Sequence, residues 1–95
     1  MNENRKIQLV QNILRNEIDL SFLGYASSVF ANQNNETLFL FEYSKNIFNI
    51  ENIIKTINNI VISFEDITEY NIFTLNDYDK TNNQLVIKIY LKVIC

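Results

Sequence analysis

Residues 84–94, QLVIKIYLKVI, alternate without a break: Leu85, Ile87, Ile89, Leu91 and Val93 fall on one side, and Lys88, Tyr90 and Lys92 on the other. Side chains of a strand point by turns to the two faces of a sheet, so this segment reads as a strand covered on one face and wet on the other. Such a strand needs a second layer to lie against its apolar side. Two segments offer it. Over residues 4–19, Ile7, Val10, Leu14 and Ile18 fall within about one-fifth of a helical turn, with Ile13 beside them, and Asn2 or Asn4 can cap the start. A second helix starts from Ser44-Lys45-Asn46 or Asn49 and runs to about residue 63. Ile47, Ile50, Ile54, Ile57, Val61 and Phe64 repeat along it at three and four, widened by Ile53 and Ile60. So many isoleucines give poor helix propensity, so packing must hold this element in place.

Three further segments read as strands. Residues 22–31 (FLGYASSVFA) and 37–43 (TLFLFEY) form a hairpin across the polar stretch 32–36, with Phe39, Phe41 and Tyr43 on one face and Leu38, Leu40 and Glu42 on the other. Residues 67–75 alternate more weakly, with Phe73 and Leu75 opposite Tyr70 and Ile72, and Asp77–Asn83 supply the turn into 84–94. The expected order is α-β-β-α-β-β. The expected fold class is α+β, a two-layer sandwich with two helices on one face of a four-stranded sheet. Strands two and three, joined through the second helix, would run parallel with a right-handed crossover if they were neighbours. At 95 residues and 11.2 kDa the chain is a single domain spanning 1–95. The first hairpin carries more apolar side chains than one covered face absorbs, so it either lies centrally, covered on both faces, or meets a partner.

Composition narrows the chemistry. There is no histidine, proline or tryptophan, and Gly24 and Cys95 are the only glycine and cysteine. No histidine-assisted nucleophile or zinc site of Cys and His can be built from this set. One glycine rules out both the GxGxxG and the P-loop phosphate cradles. Cys95 cannot form a disulfide within the chain, and its use suits a reducing compartment. The first twenty residues hold six charges and no apolar run, and no stretch approaches a membrane span, so a cytoplasmic protein is expected. No enzyme, catalytic residue, metal or cofactor is expected. Sixteen asparagines and fifteen isoleucines point to an AT-rich gene, of the kind carried by low-GC bacteria, mobile elements and phages.

The acids are unevenly placed. Glu65, Asp66, Glu69, Asp77 and Asp79 lie within fifteen residues that contain no base, with Tyr70 and Tyr78 among them. As a glycosidase-like carboxylate pair they lack a cleft. As a calcium loop, Asp77-x-Asp79-x-Thr81 fails where Asn82 replaces the glycine and Lys88 the bidentate glutamate. Direct nucleic-acid binding conflicts with a pI of about 4.8, and Lys88, Tyr90 and Lys92 are too few for a basic stacking platform. Acids interleaved with tyrosines suit a basic protein partner. The expectation is a small protein-binding inhibitor that neutralises a nuclease-like toxin, as an immunity protein or antitoxin does, or a nucleic-acid-binding defence protein, as a phage anti-defence protein of the anti-CRISPR type does. It would occlude a basic cleft with Glu65, Asp66, Glu69, Tyr70, Asp77, Tyr78 and Asp79. The alternative is a non-catalytic structural or regulatory subunit acting as a homodimer.

Overall fold

A computed structural model of the chain describes residues 1–16, 22–29, 36–44 and 50–95. The elements are α1 (Glu3–Asn16), β1 (Phe22–Val29), β2 (Glu36–Ser44), α2 (Ile50–Ile62), β3 (Glu69–Asp79) and β4 (Gln84–Ile94). Asn2 caps α1: its Oδ1 accepts from the Arg5 backbone N–H at 2.8 Å, satisfying one of the donors that a helix start leaves over. At the end of α2 the chain tightens, with Ser63 N and Phe64 N donating three residues back to Ile60 and Val61.

Strand pairing runs β1-β2-β4-β3 and is antiparallel throughout. The expected sandwich is corrected in its strand arrangement: the described core residues of the sheet lie on β2, β4 and β3, and β1 continues the same sheet through its pairing with β2. The second and third strands are not neighbours, because β4 lies between them, so the condition for a parallel crossover is not met. The reason is local. α2 carries the chain past one strand position, and the short turn Lys80–Asn83 folds β4 back into it. β4 is the strand with the longest apolar alternation, and the central position buries most of it.

The core gathers Leu9, Val10 and Ile13 of α1, Ile53, Ile57 and Val61 of α2, and Phe64 beyond it. It closes on Phe39, Phe41 and Tyr43 of β2 and Ile89, Leu91 and Val93 of β4. From β3 only Tyr70 and Ile72 pack against this cluster. In register, Phe39 lies opposite Leu91 and Phe41 opposite Ile89, so the two inner strands present one continuous apolar surface to the helices.

Both helical stripes are rotated from the sequence reading. α1 buries Leu9 and Ile13, while Ile7 is 49% exposed; Lys6 lies in the buried band with its Nζ 2.9 Å from Glu3 Oε1. A long aliphatic stem lets lysine cover apolar surface and still deliver its charge outward. α2 centres on Ile53, Ile57 and Val61 rather than on Ile54. Ile18, Ile47 and the expected turn at 32–35 lie outside the described residues. β3 is longer than the sequence suggests: Asp77, Tyr78 and Asp79 pair with Val86, Leu85 and Gln84, so they are strand and not turn. Asn83 closes the turn at φ 53°, a left-handed conformation that asparagine tolerates better than most residues.

Candidate functional site

The register assigns every strand residue to a face. On β2, Thr37, Phe39, Phe41 and Tyr43 turn toward the helices, and Glu36, Leu38, Leu40, Glu42 and Ser44 turn away. Opposite them on β4 are Val86, Lys88, Tyr90, Lys92 and Ile94, and beyond those on β3 are Glu69, Asn71, Phe73, Leu75, Asp77 and Asp79. No helix among the described residues covers this outer face. On β2, Leu38 and Leu40 of this face are half-buried, while Phe39 and Phe41 on the other are fully buried.

The centre of the open face is apolar. Leu40, Tyr90 and Phe73 stand in one row across three strands, and the rings of Phe73 and Tyr90 stack at 5.0 Å between centroids and 11° between planes. Phe73 is 49% exposed and Leu75 50%. The rim is charged. Glu36, Glu42, Glu69, Asp77 and Asp79 face out with only Lys88 and Lys92 among them, an excess of three negative charges. That excess equals the whole net charge of −3, because the other six acids and six bases of the chain cancel. Both lysines are already engaged: Lys88 Nζ lies 3.0 Å from Asp77 Oδ2, and Lys92 Nζ lies 3.7 Å from Glu36 Oε1. At one end of this face, Glu42, Asp77, Tyr78, Asp79, Lys80, Val86 and Lys88 line an open depression of about 340 Å³.

The seven residues singled out in the sequence do not form one surface. β3 separates Glu69 from Asp79 by ten residue steps, roughly 33 Å at the rise of a strand. Near one end, Glu65 is exposed, while Asp66 is held by Arg5 through Nε at 3.1 Å and through Nη2. The Arg5 guanidinium also lies 4.4 Å from the Phe64 ring centre, so this cluster ties α1 to the segment after α2. Tyr70 is turned inward and donates its hydroxyl to Asn58 Oδ1 at 2.8 Å. At the far end Asp77, Tyr78 and Asp79 do come together. Asp77 and Asp79 lie on the open face, and Tyr78, 46% exposed, lies on the opposite one. Sequence reasoning missed Glu36, Glu42, Phe73 and Leu75 as members of the face. The signal was present in the alternation, but only the β2-β4-β3 order brings those residues to Lys88, Tyr90 and Lys92.

Hydrogen bonding sets the charge states. The Lys88 ammonium, then the Tyr78 backbone N–H, hold the Asp77 carboxyl below its ordinary value, and Asp77 in turn raises Lys88. The Asn82 side chain and the turn amides of Asn82 and Thr81 lower Asp79. Asp66 is lowered chiefly by the hydrogen bond from Arg5. All three are therefore firmly ionised at neutral pH. Among the described residues no three His, Cys, Asp or Glu side chains gather as a metal site requires. None of the described helices is long and apolar enough to cross a membrane. Comparison with protein-family models, curated proteins and solved structures finds no match to this chain.

Proposed function

We propose that the protein is a small, acidic, protein-binding inhibitor that works in the cytoplasm. Its target is a basic protein, a nuclease-like toxin or a nucleic-acid-binding defence protein, whose cleft it covers. The observation that carries this reading is the open sheet face, where Glu36, Glu42, Glu69, Asp77 and Asp79 outnumber Lys88 and Lys92 around the Phe73–Tyr90 stack and half-exposed Leu75. An apolar centre with a polar, charged rim is the anatomy of a protein-binding surface. Acid in excess favours a cationic partner and speeds its approach. The same charge repels a phosphate backbone, which weighs against nucleic acid as the direct ligand.

The proposed surface keeps some of the expected residues and leaves out others. Asp77 and Asp79 stay in the surface, joined by Glu42 and Phe73. Asp66 is committed to Arg5 and Tyr70 to Asn58, so both act in folding.

The test uses the full chain and a basic nuclease or defence protein encoded beside it. Addition of one equivalent should abolish the target's activity. Association should slow by about tenfold when salt rises from 0.05 to about 0.5 M. A Glu42→Gln, Asp77→Asn double variant that folds normally should slow it comparably. Association indifferent to both salt and these substitutions would defeat the reading. A salt-insensitive dimer of the chain alone, with no target affected, would shift the assignment to the homodimeric subunit.

A further inference from the structure

β3 occupies the end of the pairing order: β4 takes one of its edges, and no described residue pairs with the other. It is eleven residues long, and its register with β4 runs from Glu69 to Asp79 without a bulge. Six consecutive residues, Phe73 to Tyr78, are exposed: Phe73, Leu75 and Asp77 lie on the open face, and on the other face the helices reach only as far along β3 as Tyr70 and Ile72. Long, regular edges of this kind are templates for strand addition, and proteins commonly blunt them with lysine, proline or a bulge. β3 has none of the three. It carries Glu69, Asp77 and Asp79 and no cation.

We propose that the Phe73–Asp79 stretch of β3 receives an extended, basic segment of the partner protein as an added strand. This inference rests on the acidic-surface reading above and supplies its docking geometry. Backbone hydrogen bonds along the β3 edge away from β4 would hold the segment, and side chains alternating to the two faces would set its preference. Apolar residues of the segment fit beside Phe73 and Leu75, and lysine or arginine beside Asp77 and Asp79, where cross-strand charge pairs form. A second copy of this chain is a poorer occupant. With no base anywhere in β3, antiparallel self-pairing about Thr74 sets Glu69 against Asp79 at both ends. Parallel pairing in register sets all three acids against themselves.

The experiment titrates the full-length, isotope-labelled protein with a heptapeptide alternating lysine and valine, and with its glutamate–valine counterpart. Nuclear magnetic resonance then reads amide shifts and hydrogen exchange. The expected result is binding of the lysine peptide alone, with shifts centred on residues 73–79. Alternate β3 amides should exchange at least about tenfold more slowly, as newly paired amides do. Leu75→Lys, a half-exposed position whose new charge blocks the edge, should weaken binding by about tenfold or more. Binding that shifts Leu40, Tyr90 and Phe73 but leaves β3 exchange unchanged would overturn the added strand while sparing the acidic-face reading. Equal binding of the glutamate peptide would overturn it, as would protection of β3 that rises with protein concentration alone. Absence of any peptide binding would also overturn it, and salt-dependent neutralisation of the full target would still decide the acidic-face reading separately.

Discussion

Phe39 and Leu40 are adjacent in β2 and have opposite fates. Phe39 is fully buried under the helices opposite Leu91, while Leu40 stands half-covered on the open face beside Tyr90. The same contrast runs through the sheet. One face is closed by Ile53, Ile57, Val61, Leu9 and Ile13; the other holds an aromatic pair within a charged rim. The difference separates what holds the fold from what is left for recognition. A residue on the helix side contributes through the volume it fills. A residue on the open side contributes little to folding, so it is free to serve a partner.

The sharpest way to break this comparison is to truncate one aromatic on each face. Phe39→Ala should destabilise the protein by roughly 3–5 kcal/mol, read as a lowered urea midpoint, because the cavity lies where neighbours cannot close it. Phe73→Ala removes a ring that is 49% exposed and whose stack on Tyr90 supplies roughly 0.5–1.5 kcal/mol beyond area. Its loss should therefore stay below about 2 kcal/mol, while target association suffers far more than folding does. Equal destabilisation by the two variants would show that the open face is part of the core and would remove the ground for assigning it to recognition.

A smaller effect sharpens the comparison along β3. Tyr70 and Tyr78 share the helix-side face, but only Tyr70 reaches α2, through its bond to Asn58. Tyr70→Phe should cost roughly 0.5–1.5 kcal/mol, the net worth of one hydrogen bond with its partner left half-buried. Tyr78→Phe, at an exposed position, should leave the urea midpoint where it was. Comparable losses from both would mean that the helical layer reaches the far end of β3.

These contrasts explain which parts of the structure were readable from the residues. The faces of β2 and β4 follow from period-two alternation alone, since Phe39-Leu40-Phe41 and Ile89-Tyr90-Leu91 can satisfy a half-covered sheet in one way only. The helical stripes were legible in kind but not in phase. Leu9 and Ile7 both flank the true centre of α1, and the side chains of β2 and β4 decide which is buried. Strand order was not legible, because no local pattern says that β4 slips between β2 and β3. The extent of the candidate site was not legible for the same reason: whether five acids close in sequence share one surface depends on the fold, and an extended strand carries Glu69 and Asp79 to opposite ends, while Glu36 and Glu42 arrive from a segment some thirty residues away.

The smallest expected effect distinguishes two acids on either side of the same contrast. Asp66 ties α1 to the segment after α2 through Arg5; Asp77 ties β3 to β4 through Lys88 on the open face. Both carboxyls titrate below their ordinary value of 3.8 in the folded protein, each lowered first by its cationic partner. At the same pH the unfolded chain therefore binds more protons than the folded one through this window. Stability from each pair is complete above the ordinary carboxylate range and is lost as pH falls through the depressed folded value. Urea midpoints measured from pH 7 downward should fall more gently below about pH 4 for Asp66→Asn and for Asp77→Asn than for the natural chain, with the curves converging in acid. Both pairs are exposed, so the differences should be small and should fade in about 1 M salt. The sharper outcome concerns function. Asp66→Asn should leave target association unchanged at neutral pH, and Asp77→Asn should slow it, because only the second carboxylate lies in the proposed surface. Slowing by Asp66→Asn alone would place recognition at the α1 end of the molecule and reverse the assignment of the two faces.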